Sequence, residues 1–529
     1  MRTRTKRFQT VLLVSLLSIV ASTCGFQKQP TLVVYVVVDQ LRGDLLERYD
    51  SLFTGGFRRL HDGGFKFLSA SHYHAKTATA AGHATLSTGV FPYRNGIVAN
   101  EWLKRTPEGW QSVYSVEDTL THILGFPALE GRSSRNLLRG GLADWISGAD
   151  SGAIVVTASR KDRAAIGMAG KAQGHVYWIP ANGARFVTSS FYAADYPGWV
   201  ERLNRVDMPE IFGDSIWEQT IPLGARGASR PDTSEFEGDG VHTFFPHSFR
   251  EEVRNPDRQG ALDRWAYGKL HPDAALGIFA KEAVRSLGLG QDPVIDYLSI
   301  SFSQTDDVGH AYGPLSREQL ESLLHLDGVM GDLMSFLDQE VGAGRWVMAL
   351  TGDHGTLSMP EYLAEQGEPG RRATSEELAQ VRATFQAFGG MEGDAQEVAD
   401  SLAAALRRIP FIGDARTVLD LTTPPHADSF AALMRNSYHP ERWVGGYGSQ
   451  GSGVQFRFEE GYYPSTARRG TSHGTPYYYD RHVPLIFYGA GVERGVSVDP
   501  VKTVDIAPTL AELAGITTPD DLDGQPLLK

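Results

Sequence analysis

The chain has 529 residues, more than one apolar core usually serves unless a large α/β domain carries insertions. Its 41% hydrophobic content supplies such a core and argues against a disordered chain. The formal net charge of −13 argues against a nucleic-acid partner, which needs a basic face to neutralise phosphates.

The first element is a leader over residues 1–24. Met1 to Arg7 is basic, and Val11 to Ala21 is apolar but too short to span a bilayer, so a signal peptide, export and a periplasmic location are expected. The only cysteine, Cys24, ends this leader; lipid anchoring there is the lesser reading, because Thr23 suits it poorly. No later stretch is long and apolar enough for a membrane helix. Residues 25–529 then read as one catalytic domain, with insertions near 223–260 and 358–471 as cap or lid material.

Thr31 to Val38 is an apolar, β-branched run, read as a buried strand that ends at Asp39. His72 to Thr85 is a turn of small residues rich in hydroxyls, and Ala153 to Ala158 is another strand-like run. Asp296 to Phe302 leads to Asp306 and, four residues on, His310. Ser316 to Gln319 matches a capping box, followed at helical spacing by Leu320, Leu323, Leu324, Met330, Leu333, Met334 and Leu337. Arg345 to Leu350 precedes Asp353 and His354; a helix is expected over Glu397–Arg408. His473 precedes the apolar Val483 to Tyr488, and Asp505 to Leu513 closes the chain as a helix with proline near its start. Strand-like runs alternating with helical ones predict an α/β fold: a doubly wound, mostly parallel sheet flanked by helices.

In such sheets the ligand site lies beyond the carboxyl ends of the strands. Asp39, Asp306, His310, Asp353, His354 and His473 converge there in this reading, as an oxygen and nitrogen donor set suited to zinc or a similar divalent metal. Six donors are too many for one catalytic zinc and about right for two. Glycines beside them (Gly309, Gly352, Gly355, Gly474) let the backbone turn sharply. Within His72 to Thr85, any single hydroxyl reads first as part of a turn or cap, and becomes a nucleophile only if a metal or base activates it.

These motifs together resemble the alkaline phosphatase superfamily, and most of all its phosphate-irrepressible (PafA-type) alkaline phosphatases. The strand ending in Asp39, Thr79-Ala-Ala-Gly-His83, Gly96 to Asn100 and Ser159 to Arg163 carry it, with Asp306 to His310, Thr351 to Gly355 and His473 to Tyr477. The resemblance implies that Thr79 is the nucleophile. It assigns Asp39, Asp353, His354 and Thr79 to one zinc, and Asp306, His310 and His473 to the other. Asn100 is implied to donate to a phosphoryl oxygen, and Lys161 and Arg163 to reach the oxygens that only a monoester leaves fully charged.

The implied activity is hydrolysis of small-molecule phosphate monoesters through a phosphothreonine, releasing inorganic phosphate. The alternatives are a phosphodiesterase or nucleotide pyrophosphatase of the same superfamily, or an inactive metal-binding homologue. A sulfatase fits less well, since its Cys/Ser-x-Pro-x-Arg motif is absent. Asp307 is expected beside the site rather than in it, and His72, His74 and His83 as supports for ligands.

Overall fold

The most apolar run of the chain forms the middle of the molecule. In the computed structural model, which describes residues 29–528 apart from 182, 213–215, 255–260, 262–264, 266–267, 270 and 425–428, strand β1 (Leu32–Val38) is buried throughout. The expected leader, with Cys24, lies outside the described residues, as does the end of the expected 223–260 segment. Successive side chains of a strand point to opposite faces, so a wholly apolar strand needs cover on both. Leu32, Val34, Val36 and Val38 pack in one cluster with residues of the helices His271–Leu287 and Arg317–Leu337. Val33, Tyr35 and Val37 pack in a second, with Leu86, Ile146 and Leu510. Val36→Asp would set an unpaired carboxylate inside the first cluster, at a cost of several kcal/mol.

Seven further strands complete the sheet: β2 (Phe65–Ser71), β3 (Val155–Ser159), β4 (His175–Trp178), β5 (Asp296–Phe302), β6 (Trp346–Gly352), β7 (Leu485–Gly489) and β8 (Gly495–Lys502). Their order is β8-β2-β7-β6-β1-β5-β3-β4. All pairings are parallel except the two made by β7, so this one strand runs against the rest. The expected doubly wound, mostly parallel α/β sheet is present. Val38 stands opposite both Phe302 and Gly352, so β1, β5 and β6 end level with one another.

The helix expected after Ser316 spans Arg317–Leu337; the Ser316 hydroxyl accepts from the Gln319 amide at 3.0 Å. Leu320, Leu323, Met330, Leu333, Met334 and Leu337 are buried and Leu324 half-buried, as the spacing predicts. The helix expected over Glu397–Arg408 spans Ala395–Leu406 instead. Asp394 caps it, accepting from the Gln396 and Glu397 amides and starting the helix two residues earlier.

Between residues 358 and 471 the chain builds a subsidiary core of its own. Val381, Phe385, Leu402, Leu406 and Val454 meet there, from the helices Ser375–Phe388 and Ala395–Leu406 and an antiparallel pair, Ile412–Thr417 with Val454–Phe458. The 223–260 stretch contributes a short 3-10 turn, Leu223–Ala228, and the strand His247–Ser248, which pairs with Ile216–Trp217.

Candidate active site

Because β1 and β6 end level, the next residue of each, or nearly so, carries a carboxylate to one spot. Asp39 and Asp353 are wholly buried there, and His354 Nε2 lies 3.5 Å from Asp39 Oδ1 and 3.5 Å from Asp353 Oδ2. Past β5 the chain enters the helix Gln304–Tyr312, where Asp306 and His310 sit four apart and so share a face. His310 Nε2 is 3.2 Å and His473 Nε2 3.7 Å from Asp306 Oδ1. His473 reaches this spot from the residues before a strand rather than after one. The reversal of β7 explains it: Leu485, its first residue, stands opposite Thr351 near the end of β6. His354 and His473 stack with ring centroids 3.6 Å apart, joining the two donor groups.

Asp306, His354 and His473 lie mutually close, as do Asp39, Asp353 and His354, so His354 stands between both groups. His310 approaches through Asp306.

Each imidazole is oriented by the main chain. His310 Nδ1 donates to the Thr471 carbonyl at 2.8 Å, His473 Nδ1 to Thr77 at 2.7 Å and His354 Nδ1 to Gly355 at 3.0 Å. A carbonyl can only accept, so Nδ1 carries the proton and Nε2 turns a lone pair to the site. Gln40 was not singled out by its sequence context. Its backbone N donates to Asp353 Oδ1 at 3.0 Å and its side-chain amide to Asp306 Oδ1 at 2.7 Å, from a left-handed φ of 61°. That conformation is uncommon away from glycine and marks a constrained position.

These donors fit a divalent metal. Asp39 Oδ1 and His354 Nε2 are buried and have no hydrogen-bond partner, and Asp353 Oδ2 meets only His83 Nδ1, at 3.3 Å. Buried polar atoms left so are costly, and all three belong to one group. Two donors about 2.1 Å from a tetrahedral zinc stand about 3.4 Å apart, close to the 3.5 Å separations here. The charges agree. Burial, with the charges of Asp306 and Asp353 added, pushes the Asp39 carboxyl up to about 6. Burial also opposes ionisation of Asp306, but Lys161 and His310 outweigh it and hold that carboxyl well below the usual range. Asp39, crowded by two further carboxylates, is the group whose charge a divalent ion would favour most.

Thr79 is the first residue of the helix Thr79–Thr88 and is buried. Gly82 lets this helix press on the end of β6: a Cβ there would lie 2.3 Å from the Asp353 carbonyl oxygen. The Ala80 amide donates to Asn100 Oδ1 at 2.9 Å, which leaves the Asn100 NH2 as a donor. Lys161 Nζ bonds Asp39 Oδ2 and Asp306 Oδ2, both at 2.5 Å, so it lies between the two donor groups. Arg163 contacts the Tyr114 hydroxyl at 3.4 Å, and that hydroxyl donates to Asp162 Oδ1 at 2.5 Å. Asp162 in turn accepts from Arg132 at 2.7 Å. Tyr114 lies far from Arg163 in sequence, and no local pattern links the two.

Among the supports, His83 Nδ1 lies 2.8 Å from the Thr79 carbonyl oxygen and 3.3 Å from Asp353 Oδ2. His72 bonds the Gly352 carbonyl and the Thr503 hydroxyl, and His74 the Lys76 carbonyl. Asp307 pairs with the buried Arg160, outside the donor groups.

The family described as type I phosphodiesterase / nucleotide pyrophosphatase matches residues 33–478. Over 94% of this chain and 92% of the relative, the sequence is 30% identical to alkaline phosphatase PhoV of Synechococcus elongatus. It is 29% identical to a Myroides odoratus protein named a calcium-transporting ATPase, over 94% of each chain. Among the described residues of this chain, no helix is long and apolar enough to cross a membrane. Alkaline phosphatase PafA of Elizabethkingia meningoseptica is 28% identical over 96% of this chain and 97% of its own. A 1.7 Å crystal structure of wild-type PafA superposes with a TM-score of 0.84 at 27% identity, covering 94% of this chain and 98% of that one.

Proposed function

The chain belongs to the type I phosphodiesterase / nucleotide pyrophosphatase family, within the alkaline phosphatase superfamily, and from that membership we propose an exported dizinc alkaline phosphatase. It hydrolyses phosphate monoesters through a phosphothreonine on Thr79. One observation carries this reading: three buried donor atoms, at the spacing of zinc ligands, lie where the Thr79 helix presses on the end of β6. In this reading Asp39, Asp353, His354 and Thr79 hold one ion, and Asp306, His310 and His473 the other. When bound, the two ions supply the charge that makes a threonine hydroxyl acidic and steadies a departing alkoxide.

The protein's own groups do the rest. Thr79 Oγ1 passes its proton to solvent and bonds to phosphorus as the ester P–O bond breaks, and the departing alkoxide takes a proton from solvent. Water then attacks the phosphothreonine and Thr79 leaves, so the net change is one ester and one water to one alcohol and one phosphate. The phosphoryl group carries its charge on peripheral oxygens, so rate depends on positioned donors. Asn100 donates through its free NH2 and stays aligned because Ala80 holds its oxygen. Lys161 offers a point charge and Arg163 a planar fork that matches two oxygens. Those two cations favour a monoester, which has one more charged oxygen than a diester.

The leader over residues 1–24 directs export, and residues 25–529 act as one catalytic domain with the 358–471 segment as a cap. The test is metal content together with turnover of an aryl phosphate and its methyl ester. About two zinc ions per chain and a preference for the monoester are expected. Preference for the methyl ester would move the chain to the diesterase reading, and full turnover in verified metal-free protein would end the dizinc one.

A further inference from the structure

A cavity opens on the His473 side of the site, between the loops that carry Lys76 and His473 and the 358–471 cap. Its volume is about 430 Å3, within the range of pockets that enclose small organic ligands. One wall is a continuous aromatic surface. Tyr447 meets Phe456 and Phe458 at ring-centroid distances of 6.2 and 5.8 Å; Phe458 meets Phe456 at 5.4 Å and stacks on Tyr462 at 4.9 Å. Tyr447, Phe456 and Phe458 are only half-buried, so their faces are not fully spent on the cap's own core.

Two features of this cavity are not accounted for by packing. Tyr447 has a φ of 62°, between Gly446 and Gly448, in a loop from Val444 to Gly453 that is mostly glycine and serine. A bulky side chain rarely takes that conformation, and glycine would take it without strain. A ring held there against local preference points to use. Opposite, Lys76 lines the cavity half-buried, with no hydrogen bond or ion pair from its ammonium among the described residues. Gly474 keeps room for it: a Cβ there would lie 3.0 Å from Lys76 Nζ, beside His473. The phosphoryl donors do not include this lysine.

In an in-line displacement the leaving group departs opposite the nucleophile. On the proposed reading, the donors opposite Thr79 are Asp306, His310 and His473, and His473 lines the cavity. We propose that the cavity receives the organic part of the ester, with a planar aromatic group against the Tyr447–Phe458 wall and an anionic substituent at Lys76. The preferred substrates are then phosphate monoesters of aromatic or heteroaromatic alcohols that bear a second negative charge. The proposal rests on the monoesterase reading above and deepens it.

Competitive inhibition separates binding from leaving-group reactivity. Inhibition constants of inorganic phosphate, methylphosphonate, phenylphosphonate and 4-carboxyphenylphosphonate would be measured for the zinc-loaded full chain and for Tyr447→Gly and Lys76→Met. In the wild type, phenylphosphonate is expected to bind about tenfold more tightly than methylphosphonate, and the carboxylated compound several-fold more tightly again. Tyr447→Gly should cut the phenyl-to-methyl ratio several-fold, because the ring that faces the aromatic group is removed. Lys76→Met should abolish the gain from the carboxylate and leave the phenyl-to-methyl ratio in place. Equal binding of methyl- and phenylphosphonate beside normal aryl phosphate turnover would overturn the pocket and spare the phosphatase. So would a phenyl preference that neither variant alters. Absence of turnover together with absence of inhibition by phosphate would remove the phosphatase reading, and the pocket with it.

Discussion

The floor of the site and the cap above it are built in opposite ways. On the floor, side chains are buried and placed by strand register, and main-chain carbonyls fix the rings. In the cap, half-buried aromatics stand on a short antiparallel pair and a glycine-rich loop, over a small core. The floor suits chemistry, where a displacement of 1 Å can cost about a hundredfold in rate. The cap suits recognition, where aromatic faces tolerate different partners. If the two are separable, variants in one should spare the other's readout.

The largest effects belong to the floor. Thr79→Ala should lower aryl phosphate turnover on the order of 10⁴-fold or more while zinc content stays near that of the wild type. Thr79→Ser should keep measurable turnover, because a hydroxyl remains. A phosphopeptide map of acid-quenched enzyme that placed the label on Thr77 would move the nucleophile by two residues. Chelation should abolish turnover, and added zinc should restore it. Next come the phosphoryl cations: Lys161→Ala or Arg163→Ala should cost about 10- to 1000-fold in kcat/KM for a monoester and much less for its methyl ester. Equal losses on both substrates would show that these side chains act through structure alone.

Smaller effects mark the boundary between the regions. Gly82→Ala forces a methyl group onto the Asp353 carbonyl, and a stability loss of about 1–3 kcal/mol is expected, with slower turnover because Thr79 shifts. In the cap, Leu402→Ala should remove about 2–5 kcal/mol from the packing of its core yet leave zinc content unchanged. Calorimetry beside metal analysis would show it; zinc lost with the cap would mean that floor and cap fold as one unit. Smallest is Tyr114→Phe, which takes one hydroxyl from Arg163 and should reduce monoester turnover several-fold.

The floor was legible in the sequence because burial and chemistry alternate there. Runs such as Thr31 to Val38 read as strands, and a charged residue just beyond such a run has little reason to be there except for a site. His473 was harder, since hydrophobic pattern carries no direction; only pairing shows that β7 runs backward and brings its preceding residues to the site. Gln40 carried no signal, because an amide after Asp39 has no periodicity to violate. Tyr114 and the Tyr447 wall were invisible for a different reason. Their roles depend on contacts between residues distant in the chain, and local spacing does not encode those.

The imidazole-to-carbonyl bonds have a consequence for how this site tolerates change. The groups that aim His310, His473 and His354 are peptide carbonyls of residues 471, 77 and 355. Every amino acid supplies the same carbonyl, so a side-chain replacement at 77 or 471 leaves the acceptor in place as long as the local backbone is kept. Drift in sequence around the site can then proceed without re-aiming a ring. The vulnerable changes are those that bend the chain, such as an insertion or a proline between 471 and 474, and these should appear as lost zinc before they appear as lost fold.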